Sequence, residues 1–481
     1  MTKRPNILFL MADQFRGDVM SWAGGPARTP HLDELASESV CFPNCNTVAP
    51  LCVPARISMM TGQYPHTTGA WDNAEYVLSP DAPLWTKEIK AQGYSTSVFG
   101  KTHLHTDFGD MIAREPIVQG YGFDYVNEIS GPHATCQSRT HMTEEWKEKG
   151  VLDAYVKDMR SRGKKPRALP TPLPLEEYYD VYVGRKAREY LEQYDGEEPW
   201  FCHVSFGGPH EPWDTPESYA SMYKREEMPA ALPRVNNLTE DRPHGEFDTR
   251  SCLEKIQCSP ETALEIRADY CGSVTLIDEM IGQIFEVIRK RGEWDNTVVV
   301  FTSDHGEMNG DKGIVNKRNF FRSAMNVPFM VRTPETAQTC GGTINETFVN
   351  LMDVGPTLVE LAGGQIGYHQ CGRSVCHALR ADEIHRDYLL AEYAGEIMYE
   401  DKEWKVVLNR DGEPYQMFHL TTDPEERDNV AGMPEAEEAW SKLSRKMLKV
   451  LAESRRLKPS LLQMPIPDRN EAEFERSVKL E

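Results

Sequence analysis

Short apolar runs rich in β-branched residues alternate along this chain with amphipathic helical stretches, and that alternation limits the fold more than any other feature. Runs at 6–12, 95–99, 200–206, 297–303 and 327–332 read as strands. Stretches at 30–39, 86–92, 176–194 and 267–291 read as helices. The last is the clearest. Tyr270, Val274, Ile277, Ile281, Ile284 and Ile288 recur at helical spacing, and Arg289-Lys290-Arg291-Gly292 is a C-terminal signal. Strands alternating with helices predict an α/β domain on a largely parallel sheet. In such sheets ligands bind beyond the carboxyl ends of the strands. Asp13 and Asp304 each fall just after a predicted strand, where a site belongs.

A smaller unit is expected to begin near residue 375, dividing the chain into 1–375 and 376–481. Residues 388–393, 404–409 and 415–420 read as short strands, with Arg410-Asp411-Gly412-Glu413 as a hairpin turn. An amphipathic helix follows at 434–455, and the polar tail after Arg456 reads as a disordered end or an arm gripping another subunit, which leaves a homo-oligomer open. Residues 140–175 and 228–250 look like surface insertions that shape access to a site.

Composition narrows the partners. Charged residues make up 27% of the 481, and the net charge of −22 is spread along the chain. This argues against nucleic acid and anionic membranes, whose phosphates repel such a surface. The apolar run after Lys3-Arg4 is too short for a signal peptide and has no cleavage site, so a cytoplasmic protein is expected. Eleven Cys without regular spacing fit reduced thiols.

One segment carries chemistry. Leu51-Cys52-Val53-Pro54-Ala55-Arg56 places a Pro two residues after a Cys and an Arg four residues after it. Pro54 suits a first helical turn, so a helix is expected with Cys52 at or just before its N-terminus, where free amides favour anions. Arg56 lies one turn on, along the same face, and can hold an anionic oxygen without losing its proton. The pentapeptide resembles the signature of sulfatases, in which that Cys is oxidised after translation to formylglycine.

Other segments extend the resemblance in order from residue 5 to about 431. They are the strand and loop ending Asp13-Gln14, Gly100-Lys101-Thr102-His103-Leu104, Pro209-His210-Glu211-Pro212, the stretch from Asp304-His305 to Lys317, and the stretch from Phe418 to Asn429. The resemblance implies an alkaline-phosphatase-like α/β sandwich. Its large mixed, mostly parallel sheet is flanked by helices, and a small C-terminal α+β domain carries an antiparallel sheet. It implies a metal held by Asp13, Gln14, Asp304, His305 and the modified Cys52 side chain, and a formylglycine-generating enzyme as maturation partner. Family precedent points to calcium. Two carboxylates with Gln14 and His305 make a less anionic cage than the commoner pattern and keep manganese in view. That pair of departures also resembles the choline-sulfatase and phosphonate monoester hydrolase branch.

The roles follow from chemistry. A metal lowers the pKa of a formylglycine hydroxyl and orients it. Lys101 and Lys317 place cationic donors on the sulfuryl oxygens. His210 and His103 are the candidate acid for the leaving alcohol and base for the second step, in an order the sequence leaves open. Asn73 is either a hydrogen-bond donor to the transferred group or a turn residue. Arg322 stands where the family often has Glu, and would favour a substrate with a second negative charge. The expected activity is sulfuric ester hydrolysis of a small-molecule or oligosaccharide sulfate. The alternatives are a phosphonate monoester or phosphodiester hydrolase and, more remotely, a non-catalytic binding protein.

Overall fold

The computed structural model describes residues 4–73, 76–163, 165–237, 256–380, 384–454 and 463–464. The latter part of the 228–250 insertion, and the polar tail apart from 463–464, lie outside those residues.

An eight-stranded mixed sheet organises the molecule. Its strands in chain order are β1 (Asn6–Ala12), β2 (Val40–Cys41), β3 (Ser95–Gly100), β4 (Tyr125–Glu128), β5 (Trp200–Phe206), β6 (Thr297–Ser303), β7 (Phe329–Arg332) and β8 (Thr343–Ile344). Across the sheet they run β8-β2-β7-β6-β1-β5-β3-β4. The five strands from β6 to β4 are parallel, whereas β7 pairs antiparallel with both β6 and β2. The sheet is therefore mostly parallel and mixed at one side, as expected.

β1 is buried on both faces, and its period-two alternation splits it between two cores. Leu8, Leu10 and Ala12 join one apolar cluster, and Ile7, Phe9 and Met11 the other. Helices α1 (Pro30–Glu38), α3 (Tyr179–Gln193) and α4 (Pro260–Lys290) cover the first face. Helix α2 (Cys52–Thr61) lies over the second.

Helix α4 begins seven residues before the expected 267. Ser259 Oγ accepts the Thr262 amide and Pro260 occupies the first turn, a capping signal that the apolar periodicity did not reach. The four Ile side chains of its stripe are fully buried, each stabilising the fold by about 1.5–3 kcal/mol. Helix α3 begins at Tyr179 rather than 176, because Leu175–Glu177 forms a separate 3₁₀ turn.

The C-terminal sheet is a four-stranded antiparallel meander, β9 (Tyr388–Tyr393), β10 (Glu396–Asp401), β11 (Trp404–Leu408) and β12 (Pro414–His419). Helix α5 (Glu437–Ser454) packs on it through Leu443, Met447 and Val450. The β10 strand was missed in the sequence, since Glu396–Asp401 alternates too weakly to mark one face. Its hairpin with β9 turns through Ala394 and Gly395, both at positive φ (55° and 89°), the conformation of a tight two-residue turn. That turn brings Tyr393 and Glu396 up to the mouth of the main cavity. Among the described residues, no helix is long and apolar enough to cross a membrane.

Candidate active site

Parallel pairing gathers the carboxyl ends of four strands at one place. Ala12 of β1 is in register with Ser303 of β6 and Phe206 of β5, and Gly100 of β3 with Ser205. The residues that follow are Asp13-Gln14, Asp304-His305, Gly207 to His210, and Lys101 to His103. The Gln14 amide donates to Asp304 Oδ1 at 3.0 Å, strapping the two acidic loops together. Tyr270 of α4 clamps the same loop, donating to the Gln14 carbonyl oxygen at 2.6 Å and accepting the Arg16 amide at 2.9 Å.

Cys52 is the first residue of α2 and is fully buried beneath a cavity of about 360 Å³. Asn73 Oδ1 accepts the Val53 amide at 3.0 Å, so Asn73 caps this helix from outside while also lining the cavity. The Cys52 Sγ lies 3.2 Å from His305 Nε2 and 3.9 Å from Asp13 Oδ1. One donor atom from each of Asp13, Cys52, Asp304 and His305 lies within 4.8 Å of the others.

The donor set suits a divalent cation. His305 Nδ1 sits 3.0 Å from the Gly306 carbonyl oxygen, so Nδ1–H donates there and Nε2 faces the cluster. Burial favours a neutral ring, yet Asp304 and Cys52 hold its pKa up to about 9. A buried imidazole that keeps its proton marks a place where positive charge is in demand. The Cys52 thiol is pulled well below its usual range, burial being outweighed by Lys101, Lys317 and His305.

Arg56 serves this cluster. Its Nε donates to Asp304 Oδ2 at 2.7 Å and Nη2 to Asp13 Oδ2 at 3.2 Å, while Nη1 donates to the Lys101 carbonyl oxygen at 2.6 Å and Ser205 Oγ at 3.0 Å. The anionic oxygens expected for Arg56 are thus those of two carboxylates, and the guanidinium does not line the cavity. Lys101 Nζ donates to Asp13 Oδ2 at 2.6 Å. Asp13 is held well below the carboxylate range; burial and Cys52 oppose this, and Lys101, His210 and Arg56 overcome them.

Gln14 is turned to other partners. Its Oε1 accepts from Lys317 Nζ, and its Nε2 donates to Glu307 and, at 2.8 Å, to Glu211. Lys317 Nζ also lies 2.6 Å from His210 Nε2. His103 lies beside Cys52 at positive φ, with Nε2 3.7 Å from Asp107, and among the described residues its buried Nδ1 has no hydrogen-bond partner.

Of the predicted set, Cys52, Asn73, Lys101, His103, His210 and Lys317 line the cavity. Asp13, Asp304, His305, Arg56 and Gln14 support its floor. Arg322 is not brought in. It starts a separate turn, Arg322–Met325, behind the buried Phe320 and Phe321, and its guanidinium reaches Asn44 Oδ1 at 3.4 Å beside a different cavity. The substrate contact expected of Arg322 is corrected on that ground.

Sequence reasoning passed over Glu211, quoted within a motif without a role, and Glu307, which lies inside the stretch from Asp304-His305 to Lys317. Glu211 is held at about 2, because His210 and Lys317 outweigh its burial. Burial, with the charge of Glu211, raises Glu307 to about 7. Asp180 was also unmarked. Its fully buried Oδ1 accepts the Gly207 amide at 2.7 Å and the Gly208 amide at 3.2 Å, fixing the loop that ends at His210. Asp180→Ala leaves both amides unpaired and is expected to cost about 2–4 kcal/mol in chemical denaturation, while Asp180→Asn, which retains the acceptor, stays close to the parent.

A sulfatase profile matches residues 5–364, about three quarters of the chain. The chain belongs to the sulfatase family. This sulfatase is a sulfuric ester hydrolase of the alkaline phosphatase superfamily. A second profile, N-sulphoglucosamine sulphohydrolase, C-terminal, matches residues 310–453. The sulfatase is 30% identical to an ulvan-active sulfatase of Formosa agariphila, over 94% of this chain and 81% of that one. It is 28% identical to a choline-sulfatase of Rhizobium meliloti, over 90% and 83% of the two chains. Among solved structures, the phosphonate monoester hydrolase of Agrobacterium radiobacter superimposes with a TM-score of 0.78 at 25% identity, covering 94% of this sulfatase and 96% of that chain.

Proposed function

We propose that this protein hydrolyses the sulfate monoester of a carbohydrate, with residue 52 converted to formylglycine by a dedicated generating enzyme. The observation that carries the reading is the position of Cys52. It lies at the floor of the cavity, within one donor cluster with Asp13, Asp304 and His305, and the two ammonium groups of Lys101 and Lys317 depress its pKa. The ulvan-active relative supports a saccharide as the alcohol.

Asp13, Asp304, His305 and residue 52 would hold the metal; the Gln14 amide oxygen would join them only on leaving Lys317 Nζ, from which it accepts a hydrogen bond. When bound, such an ion supplies positive charge that acidifies an adjacent hydroxyl. Calcium, the family precedent, and manganese, suited to an imidazole-containing set, are separated by metal analysis of the purified protein.

The chain's own groups divide the remaining work. Lys101 and Lys317 donate to sulfuryl oxygens and neutralise charge at the reacting centre. His103 takes the proton of the residue 52 hydroxyl, its unpartnered Nδ1 being the acceptor at hand. His210 protonates the leaving alcohol. Its Nδ1 lies 2.6 Å from the Glu211 carbonyl oxygen and 3.3 Å from Glu211 Oε2. Burial disfavours its charged form, but Glu211 raises its pKa against the opposing Lys317. A sulfuryl oxygen that engages Lys317 frees His210 Nε2 to deliver the proton.

The pH dependence follows. A raised His210 pKa keeps the acid form at a higher pH than a free imidazole allows, and activity falls as pH rises through that value. Glu211→Gln removes the raising charge. The alkaline limb of kcat/KM is expected to move towards acid, and an unmoved limb would count against His210 as the acid.

The second reading, phosphonate monoester hydrolysis, draws on Gln14 with His305 and on the Agrobacterium radiobacter structure. Relative kcat/KM on sulfated saccharides, nitrophenyl sulfate, choline sulfate and a phenyl phosphonate monoester decides between them. Preference for the phosphonate would overturn the first.

A further inference from the structure

Resting on the carbohydrate-sulfate reading, we propose that the leaving-alcohol side of the substrate carries a second anionic group, a carboxylate such as that of a uronic acid, recognised by Arg318. Cys52 is fully buried at the cavity floor, so an ester reacting there must direct its alcohol portion outwards. Arg318 stands on that outward path. It lines the same cavity and is exposed, one residue after the inward-facing Lys317.

The backbone is bent to achieve this. Asn316 and Arg318 both hold left-handed conformations, with φ of 71° and 77°, uncommon for residues other than glycine. The Arg318 amide donates to the Pro50 carbonyl oxygen at 3.0 Å, tying this conformation to the loop just before Cys52. Strained backbone of this kind persists where neighbouring structure enforces it, and it concentrates at functional sites. Here it points two consecutive cationic side chains at different depths of one cavity.

The acidic residues of the wall are already engaged. Asp107 Oδ2 accepts the Gly131 amide at 3.3 Å, Glu211 Oε2 accepts from Gln14 at 2.8 Å, and Glu396 Oε2 accepts from the Tyr415 hydroxyl at 2.9 Å. Among the described residues, the Arg318 guanidinium makes no side-chain hydrogen bond or ion pair. It is the cation at the mouth left for a ligand, and its planar fork matches a carboxylate. Phe108, 39% exposed on the same wall, offers an apolar face against which a sugar ring can pack.

The test compares two substrates that differ at one group. They are the methyl glycoside of a hexose and that of the corresponding hexuronic acid, each sulfated on the same hydroxyl. Arg318→Gln is expected to lower kcat/KM for the uronate roughly 10- to 100-fold and to change the hexose by less than about twofold. Arg318→Lys keeps the charge without the fork and should recover part of the loss. Added salt should weaken the uronate preference of the parent. An unchanged melting temperature in both variants shows that the fold is intact. Equal losses on the two glycosides, or no loss on the uronate, overturn the inference while leaving the sulfatase reading in place. A parent enzyme that cleaves neither glycoside but cleaves the phosphonate ester overturns the carbohydrate-sulfate reading, and this inference with it.

Discussion

Arg56→Met is expected to destabilise the protein by about 3–5 kcal/mol, the largest stability loss of any single substitution at the site. The guanidinium is 1% exposed and bridges Asp13 and Asp304 while also satisfying the Lys101 carbonyl and Ser205. Methionine has a similar volume and packs well, but it strands two buried carboxylates beside each other. Lys101 neutralises part of the Asp13 charge, and Asp304 loses its closest cation. The loss should be greatest in metal-stripped protein, and a divalent cation should restore part of it because it supplies charge to the same two carboxylates. Arg56→Lys recovers one charge without the fork and should fall between the two. Thermal and chemical denaturation, with and without metal, read the effect. A methionine variant that melts with the parent would show that Arg56 is not the counter-charge of this cluster.

Cys52→Ala is expected to lower kcat by at least about 10⁴-fold, because it removes the nucleophile from a constellation whose other members act through it. Folding should be little affected. The change removes a single buried sulfur, and Lys101 and Lys317 keep Asp13 and Gln14 as partners. The activity loss and the Arg56 stability loss therefore separate cleanly, although both residues lie in α2. Mass analysis of the peptide containing residue 52 distinguishes the thiol from the aldehyde in the parent. Turnover by Cys52→Ala at the parental rate would remove the basis of the functional reading.

The site was legible to different depths. The positions after β1 and β6 were readable because a parallel sheet places its site beyond strand ends, and strand runs are local patterns. The pairing of Asp13 with Asp304 needed the Ala12–Ser303 register, which no local pattern encodes. Gln14 was expected as a metal ligand, but its amide is held by Lys317, Glu211 and Glu307. Asn73 proved to serve a helix end as well as the cavity. Asp180 could not be found from sequence, since an Asp in the first turn of a helix is ordinary and its partners lie 27 and 28 residues away.

The amino-acid order alone determined the α/β layering, the Cys52 helix and the set of chemical groups available, because apolar periodicity and capping act within a few residues. Only the tertiary structure decided which groups meet and which way they face. Arg322 turned out of the site and Arg318 into it, although they stand only four positions apart. That outcome depends on left-handed backbone at Asn316 and Arg318, held by contacts such as that with Pro50, 268 positions earlier in the chain. The free energy that selects such a conformation comes from distant contacts, so it leaves no trace in the neighbouring residues.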